Sequence, residues 1–389
     1  MTATAAALRP VDGPACASAL EEAARERRTL RVRGAGTKDH LGDLLPTELV
    51  LETIAMAGIV DHVPADLTVT VAAGTSFAAL QRALAAAGQH LPLDPPHADA
   101  ATLGGIVAAN SNGFGRLRYG GVRDLLIGSQ VALADGTLAR AGGRVVKNVA
   151  GYDLNKLLVG SLGTLGVLVE VTFRVLPLPA SRAGAVARAK RAADAFAIAD
   201  ALLRTPLRPS ALVVEHVPRS GWTVIVGASG ERPVVERTLV ETERAATASG
   251  ASVERIDDPE PILAPLRELP ASASDGALVR ASLPLAAQRS FAESAVGVEG
   301  FARLVVDAGS GIARVHVRGE DATVMRAADA LVAAAHVVGG SARVERRDPA
   351  LRARLSAWGA RPPGHFLMRR LKEAFDPAGI LEPGRSAIG

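Results

Sequence analysis

The chain has 389 residues with 44 basic and 40 acidic side chains, which give a formal net charge of +4, and 48% of its residues are hydrophobic. A chain of this length usually folds into more than one domain, because a single core stops growing at roughly 250 to 300 residues. Cys16 is the single cysteine, which excludes an internal disulfide, a CxxC redox pair and a thiolate cage for zinc or an iron–sulfur cluster.

The distribution of apolar and charged residues argues against three further classes of protein. No stretch of about 18 residues is apolar enough for a membrane-spanning helix. The N-terminal sequence MTATAAALRPVDGPACASAL lacks a basic region ahead of an apolar one, so no secretory signal is expected. The arginines are dispersed and aromatic residues make up 3% of the chain, which is not typical of a nucleic-acid-binding surface. The composition therefore predicts a cytoplasmic protein whose redox chemistry would come from a cofactor.

The N-terminal part of the sequence mixes helical and extended patterns. Ser76 and Gly88 are typical of the start and the end of a helix. A long loop is expected at residues 91–121, with one or two helical turns at 102–109, and its apolar residues favour an ordered, functional segment. Apolar spacing predicts helices at 15–28 and 76–87, and strands at 29–33, 48–53 and 68–72.

Two further features complete the predicted first domain. A β-hairpin is expected around Asp135-Gly136, because this pair suits a two-residue turn. In residues 167–175, a valine or phenylalanine at every odd-numbered position alternates with Leu168, Glu170, Thr172 and Arg174. This alternation predicts a half-buried strand, with one face in the core and the other towards solvent. Prolines end this strand, and the first domain is expected to span residues 1–180.

The rest of the sequence repeats the order β-α-β-β-α-β twice. Two ferredoxin-like units in tandem would form one broad antiparallel sheet with helices on one face. This second domain is expected to span residues 181–365, and a C-terminal segment, 366–389, to return to the first domain with a helix and the turn Glu382-Pro383-Gly384. The predicted strands are 184–189, 211–216, 222–227, 252–256, 276–283, 303–308, 312–317 and 342–345, and the helices are 192–203, 233–249, 286–295 and 321–337.

Three glycine-rich segments, at residues 34–38, 102–120 and 151–166, each follow apolar sequence. Glycine lets another molecule approach the main chain closely, and such loops present N–H groups to phosphates. The sequence contains neither a GxxxxGK[ST] loop nor a GxGxxG between a strand and a helix, which disfavours a Rossmann NAD site. Tyr119 and Tyr152, the two tyrosines of the chain, fall in these segments. The pattern favours a large dinucleotide, and the alternative is that the glycines merely make turns.

These segments carry a resemblance to a known family. RVRGAGTK, LPLDPPHADAATLGGIVAANSNGFGRLRYGGVRDLL and GGRVVKNVAGYDLNKLLVGSLGTLGVLVEVTFRVLPLP resemble the vanillyl-alcohol-oxidase-like (PCMH-type) flavoproteins, and among them the FAD-binding subunits of bacterial glycolate oxidase. The resemblance covers roughly residues 15–180, and the second domain is similar in layout. It implies an α+β, two-domain PCMH-type FAD-binding fold whose second domain consists of tandem ferredoxin-like units.

The resemblance also implies the cofactor and its site. FAD is expected to bind non-covalently, because Ala35 stands where flavin-linked relatives carry a histidine. Residues 34–38 and 102–105 would wrap the pyrophosphate, and residues 151–167 would approach the flavin and adenine parts. The residues expected to contact FAD are Gly34, Ala35, Gly36, Thr37, Lys38, Pro96, Thr102, Gly104, Gly105, Asn110, Gly113, Tyr119, Gly120, Gly151, Tyr152, Asp153, Gly160, Gly163, Thr164, Gly166 and Val167.

The sequence departs from the catalytic members of this family. Leu162 stands where they carry a glutamate, and VHVRGED at residues 315–321 replaces their HxGDGNxH-like metal and base motif, so no metal site is expected. Glu382 replaces an asparagine that is common in the tail. Oxidation of a 2-hydroxy acid needs a base, and no catalytic residue is identified. Three histidines, His40, His90 and His97, lie nearer the cofactor segments, and His97, which follows two prolines, is the first candidate for that role. The other histidines considered are His216, His316 and His336, which are more typical of core or surface positions.

The function that the resemblance implies is that of an FAD-binding subunit of a glycolate (2-hydroxy acid) oxidase or dehydrogenase complex. The subunit would oxidise glycolate to glyoxylate or relay its electrons. The partners would be a homologous catalytic flavoprotein and an iron–sulfur subunit, with membrane contact supplied by the partners and no nucleic acid involved. Two alternatives stay open, namely a self-sufficient FAD-dependent oxidoreductase for another alcohol or sugar and a non-catalytic scaffold subunit.

Overall fold

The computed structural model describes residues 5–43, 45–143, 153–359 and 361–388. The chain divides into two compact units. The first unit consists of Met1–Asn112, Gly120–Leu178 and Ala360–Gly389, and the second consists of Gly113–Tyr119 and Pro179–Gly359. The seven-residue segment that precedes Gly120 therefore belongs to the second unit, which the sequence pattern does not indicate.

The first unit contains a parallel sheet in the order β1-β3-β2, an antiparallel sheet in the order β4-β5-β9-β7-β8, and the pair β6-β10. Its strands are β1 (Ala6–Leu8), β2 (Leu30–Arg33), β3 (Leu49–Glu52), β4 (Ile59–Val63), β5 (Thr68–Ala72), β6 (Gln89–His90), β7 (Leu126–Ala132), β8 (Leu138–Gly142), β9 (Val167–Arg174) and β10 (Leu176–Pro177). The helices up to this point of the chain are α1 (Gly13–Arg25), α2 (Phe77–Ala86), α3 (Leu103–Ala109), α4 (Arg116–Tyr119, in the second unit), α5 (Val122–Leu125) and α6 (Asn155–Leu158).

Helix α1 shows how the sequence builds this core. The Asp12 carboxylate caps the helix by accepting a hydrogen bond from the Ala15 N–H at 2.8 Å. Cys16, Leu20 and Ala23 then form a buried stripe with helical spacing. Burial raises the pKa of the Cys16 thiol to about 12, so this cysteine stays protonated and acts as a small apolar residue.

Strand β9 is more deeply buried than the expected half-buried strand, although Arg174 at its end is exposed. The strand lies between β5 and β7 in the middle of its sheet. Leu168 and Thr172, on the side expected to face solvent, are each 7% exposed, and the Thr172 hydroxyl hydrogen-bonds the Thr70 hydroxyl of β5 at 2.9 Å. Alternation along a strand separates its two faces but does not tell whether one or both are covered.

The β7–β8 hairpin forms, but the two-residue turn predicted at Asp135-Gly136 is wrong. The Gly136 N–H donates to the Leu133 carbonyl at 3.1 Å, and the Leu133 N–H donates to the Thr137 carbonyl at 2.9 Å. Gly136 has a φ of +83°. The loop therefore has three residues, a tight turn followed by one left-handed glycine, which is the next most common hairpin connection.

The second unit is one eight-stranded antiparallel sheet with the order β14-β11-β13-β12-β16-β17-β15-β18. Each half has the strand order of a ferredoxin-like unit, and the halves join where β12 pairs with β16. The strands are β11 (Ser181–Ala189), β12 (Ala211–His216), β13 (Trp222–Gly230), β14 (Ser252–Ile256), β15 (Ala277–Ser282), β16 (Phe301–Asp307), β17 (Ile312–Val317) and β18 (Ser341–Arg347). The helices are α7 (Ala192–Leu203), α8 (Arg232–Ala248), α9 (Glu260–Arg267), α10 (Leu269–Ser272), α11 (Gln288–Ala295) and α12 (Asp321–Val337).

Helices cover both faces of this sheet, so the expectation of helices on one face is wrong in part. Helices α7, α8, α11 and α12 pack against one face, where Leu212 and Val214 of β12 lie. Leu263 of α9 and Leu269 of α10 pack against the opposite face, beside Val213. Because β12 is apolar on both of its sides, each side needs a cover.

The C-terminal segment returns to the first unit through α13 (His365–Phe375) and pairs with β2. The Leu30 N–H donates to the Ile380 carbonyl at 2.8 Å, and the Glu382 N–H donates to the Leu30 carbonyl at 2.9 Å. The buried Asp376 carboxylate anchors the turn between α13 and this pairing by accepting from Lys372 Nζ at 2.6 Å and from the Leu381 N–H at 2.8 Å. In the described part of the chain, no helix is long and apolar enough to cross a lipid bilayer.

Asp376→Asn should loosen this C-terminal segment. The substitution leaves Lys372 partly buried without its counter-charge, and breaking a buried pair in this way costs about 3 kcal/mol. We expect a lower urea midpoint and faster hydrogen exchange in residues 376–388. Asp329→Asn, at an exposed position of α12, is the matched control and should change neither. Unchanged exchange in the Asp376→Asn tail would contradict the anchoring role.

Candidate functional site

A cavity opens within the first unit. Its wall is built from five parts of the chain, which are the end of β2 with the loop after it, Thr53 directly after β3, both ends of α3, the segment before and at the start of β9, and the C-terminal segment. The lining residues are Val32, Arg33, Gly34, Ala35, Gly36, Thr37, Lys38, Asp39, Thr53, Thr102, Gly104, Gly105, Ala108, Ala109, Ser161, Leu162, Gly163, Gly166, Leu168 and Arg385.

The loop at residues 34–38, called the first loop below, lies directly against the start of α3. A Cβ atom on Gly34 would lie 2.3 Å from Thr102 Oγ1, a distance that real side chains do not adopt. Glycine is therefore required here for close approach of two segments. Gly36 has a φ of +74°, which reverses the chain before Asp39 closes the loop with an N–H donated to the Gly36 carbonyl at 3.1 Å.

The first loop contains three main-chain N–H groups that have no acceptor in the described chain. Among the described residues, none accepts a hydrogen bond from the backbone N–H of Ala35, Gly36 or Thr37. Consecutive backbone amides on the wall of a cavity, when they have no acceptor in the described chain, are donors of the kind that binds phosphate oxygens.

The start of α3 contributes shape rather than free amides. The Leu103 N–H donates to the Thr75 carbonyl at 2.9 Å, and the Gly104 N–H donates to the Ala73 carbonyl at 2.8 Å. A Cβ atom on Gly104 would lie 2.9 Å from the Cβ atom of Ala73. The glycine thus lets α3 lie directly on the end of β5, and this fixes the wall that the first loop faces.

The segment before β9 is tied to the other end of α3. The Gly160 N–H donates to the Val107 carbonyl at 3.0 Å, and the Leu162 N–H donates to the Ala108 carbonyl at 2.8 Å. Leu162 lines the cavity with a φ of +55°, a rare conformation for a leucine. Gly163 has a φ of +81° and also lines the cavity. At Gly166 a Cβ atom would lie 2.7 Å from a methyl carbon of Val131 in β7, so the close packing of these two segments requires glycine there.

The C-terminal segment places a buried ion pair beside the first loop. Arg385 and Glu382 are 5% and 2% exposed at their side chains and lie 3.2 Å apart. Arg385 donates to the Lys38 carbonyl at 2.7 Å, and Glu382 accepts from the Val32 N–H at 2.8 Å. Burial raises the pKa of Glu382 although Arg385 opposes this shift. The pair therefore fixes both the end of β2 and the end of the first loop through hydrogen bonds to the main chain. The Nε of Arg385 is buried without an acceptor in the described chain.

Sequence reasoning missed Arg385. Glu382 stood out as a departure from the family pattern, but nothing in the tail sequence indicated that the arginine three residues later reaches the first loop. The signal available was the turn Glu382-Pro383-Gly384 directly before it.

The structure brings about half of the predicted site residues together. The predicted residues that line the cavity are Gly34, Ala35, Gly36, Thr37, Lys38, Thr102, Gly104, Gly105, Gly163 and Gly166. Lys38 also reaches Pro96, whose carbonyl accepts from its Nζ at 3.1 Å. Gly151 and Tyr152 lie outside the described residues.

Other predicted residues lie around this set. Asn110 ends α3 in a left-handed conformation, next to Gly160. The Thr164 carbonyl accepts a hydrogen bond from Lys372 Nζ at 2.9 Å. Val167, the first residue of β9, is buried in the core beside α1 residues such as Leu20. The side chain of Asp153 is 54% exposed and pairs with Lys156, and Gly120 turns the chain with a φ of +80°.

Two predicted residues belong to the second unit. Gly113 and Tyr119 lie in its short N-terminal segment, and the Tyr119 hydroxyl hydrogen-bonds Ser229 Oγ of β13 at 2.6 Å. The histidines considered as bases also lie outside the cavity lining described above. His216 bonds the Gly221 carbonyl and stacks on Trp222, and His316 bonds the Asp275 carbonyl, as core histidines do.

The comparison with protein families identifies the kind of domain that the first unit contains. Residues 4–142 match the family model described as an FAD binding domain. The first unit contains a PCMH-type FAD binding domain. FAD is the cofactor of such a domain, and the free amides of the first loop and the orphan Nε of Arg385 are donors that fit its pyrophosphate and polar edges.

Relatives of the FAD binding domain include subunits of one enzyme. The chain is 41% identical over 161 residues to glycolate oxidase subunit GlcE of Escherichia coli, which covers 41% of this chain and 46% of that protein. It is 35% identical over 228 residues to glycolate oxidase subunit GlcD of Bacillus subtilis, covering 54% and 48%. A D-lactate dehydrogenase of Archaeoglobus fulgidus is 36% identical over 175 residues, covering 44% and 38%. The chain spans less than half the length of these curated relatives.

The similarity of fold to a solved structure covers nearly the whole chain and is not limited to the FAD binding domain. A crystal structure of alkyldihydroxyacetonephosphate synthase matches with a TM-score of 0.74 at 16% identity, and it covers 97% of this chain and 75% of that chain. The predicted α+β, PCMH-type fold is confirmed.

Gly34→Ala should weaken FAD binding. The added methyl group collides with Thr102 Oγ1, so the first loop must move away from α3 and its amides leave their positions. Overpacking of this kind costs about 1 to 3 kcal/mol, which corresponds to a loss of affinity of roughly 5- to 150-fold if the cost falls on the bound state. The ratio of flavin to protein absorbance and a titration of the apoprotein with FAD measure it.

Gly364→Ala is the matched control, because a Cβ atom there meets no neighbour within 4 Å. The double variant Gly34→Ala/Thr102→Ala should recover part of the affinity, since the colliding oxygen is gone. Full FAD occupancy in a folded Gly34→Ala protein would show that the close approach does not shape the site.

Proposed function

We propose that this chain is the FAD-binding subunit of a glycolate (2-hydroxy acid) oxidase or dehydrogenase complex. The observation that carries the proposal is the cavity itself, with the unbonded amides of the first loop on its wall, within a domain whose relatives are named glycolate oxidase subunits and D-lactate dehydrogenase. The first unit would hold FAD, and the second unit would serve the substrate side.

The first loop and its supports would hold FAD without a covalent bond. Ala35 offers a methyl group, which cannot form a link to the flavin. The N–H groups of Ala35, Gly36 and Thr37 would bind the pyrophosphate, and the Arg385–Glu382 pair would keep these amides in place. FAD, once bound, supplies the acceptor for the two electrons of an alcohol oxidation.

Electron relay is the role that the wall of the cavity favours over autonomous oxidation. Leu162 lines the cavity with an apolar side chain at the position where the resemblance places a glutamate in catalytic relatives. A leucine cannot take a proton from a hydroxyl group. The proton of the substrate would then be removed in the homologous flavoprotein subunit, and this chain would pass electrons onward.

The exposed start of α13 supports the proposal of a complex. Phe366, Leu367 and Met368 are consecutive, and their exposed fractions are 55%, 53% and 39%. Large apolar side chains grouped at a surface are typical of protein interfaces. We assign the partners as a catalytic flavoprotein and an iron–sulfur subunit, and any attachment to the inner face of the membrane would come from them.

An anaerobic spectral titration of the purified chain tests this function. We expect a yellow protein with flavin bands that glycolate does not bleach and that dithionite does bleach. Addition of the partner subunits, identified by co-purification, should allow glycolate to bleach the flavin. Dithionite is the control that the bound flavin is reducible.

Three outcomes would contradict parts of the proposal. Bleaching of the isolated chain by glycolate would show autonomous oxidation. Bleaching by a different alcohol or a sugar, without partners, would favour a self-sufficient oxidoreductase. A folded, colourless protein that does not bind FAD at saturating concentration would favour the alternative of a non-catalytic scaffold subunit.

A further inference from the structure

Three arginines lie in a row across neighbouring strands of the second unit. In the strand register, Arg280 of β15 is directly opposite Arg314 of β17 on one side and Arg343 of β18 on the other. The neighbours of Arg280 in its strand, Val279 and Ala281, pack under the helices α7, α11 and α12. The row therefore lies on the opposite face of the sheet. Like charges at directly opposed positions destabilise a sheet unless something compensates them.

One carboxylate within the row compensates Arg314. Glu345 of β18 lies 2.7 Å from the Nε of Arg314 and 4.0 Å from the Nε of Arg280. Burial by itself would raise the pKa of Glu345, but Arg314 first, and then Arg280 and Arg343, lower it to about 2. Glu345 is thus ionised and committed mainly to Arg314, with which it forms the hydrogen bonds.

Arg280 and Arg343 keep donors without a protein acceptor. Within the described chain, the hydrogen bond of the Arg280 side chain goes to Ser282 Oγ at 3.1 Å. The Nε of Arg343 is buried without an acceptor, and its guanidinium lies over the ring of Trp358 at 5.2 Å. A buried N–H group without a partner is costly, and native structures usually satisfy it with protein, water or ligand.

The charge around Arg280 is positive in excess. Burial, followed by the repulsion of Arg343, Arg314 and Arg116, lowers the pKa of Arg280 to about 10 against the pull of Glu345. Asp307 of β16 is buried on the same face. Three arginines thus repel the guanidinium group of Arg280, and Glu345 attracts it. The Arg280 side chain is 21% exposed, so a solute can reach it.

We infer that Arg280 and Arg343 form a binding site for a small dicarboxylate anion. A guanidinium group matches a carboxylate with two parallel hydrogen bonds, and neighbouring strands lie about 4.8 Å apart. Two guanidinium groups at that spacing suit two carboxylates of one short molecule, while Arg314 stays with Glu345. The site consists of residues of the second unit and does not depend on FAD or on the proposed function.

Calorimetric titration of the FAD-loaded full chain with succinate tests the site. We expect saturable binding of succinate that is at least tenfold tighter than that of acetate and of inorganic phosphate. Arg280→Met should reduce succinate binding at least tenfold. Arg255→Met is the matched control, since Arg255 is a strand arginine with its own partners, Glu236 and Glu243, and it should bind succinate as the wild type does.

Thermal unfolding separates this role from a structural one. Because Arg280 is repelled by its neighbours, Arg280→Met should not lower the melting temperature without anion, and it should abolish the rise that succinate causes in the wild type. Arg280→Lys, which keeps the charge, should fold and lose most of the succinate affinity. The fluorescence of Trp358 should change on binding, and Trp358→Phe should remove that change while the heat of binding remains.

Equal succinate binding in Arg280→Met or Arg280→Lys would overturn the site, as would the absence of succinate binding to the wild type. Binding of inorganic phosphate as tight as that of succinate would overturn the assignment of a dicarboxylate. A melting temperature of Arg280→Met that falls in the absence of anion would show a structural role instead.

Discussion

The approach of the first loop to α3 is the contact on which the FAD binding domain depends. Gly34 brings the main chain against Thr102, and the next three residues line the cavity with N–H groups that have no acceptor among the described residues. The supports of the contact are themselves close approaches, with Gly104 on Ala73 from one side and Arg385 on the Lys38 carbonyl from the other. The wall of the cavity, with its backbone donors, is therefore shaped by these close contacts between segments and not by one catalytic side chain.

The two units differ in whether their buried arginines are paired with carboxylates. In the first unit Arg385 and Glu382 face each other and share further bonds with the backbone, so the pair acts as a fixed support. In the second unit, no carboxylate of the described residues lies at hydrogen-bonding distance from Arg280 or Arg343. The first arrangement stabilises the position of the first loop, and the second one is the site that we propose for an anion.

Local patterns predicted the second unit well, because each of its elements shows its period in the sequence. Helix α12 and strand β17 begin and end where the apolar spacing places them. Helix α9 was missed, since Pro259, Pro261 and Pro265 look like helix breakers although two of them stand at its start. The glycines of the cavity were also predictable. The reach of Arg385 was not, because it joins residues 347 positions apart and no local pattern reports such a contact.

The pairing of the C-terminal segment with β2 sets an order of events during synthesis. Domains generally fold as units while the chain emerges from the ribosome, beginning with the N-terminal one. Here β2 and the first loop are made early, but Ile380, Glu382 and Arg385, which complete their surroundings, follow the second unit in the sequence. The second unit is therefore translated before the residues that complete the wall of the cavity.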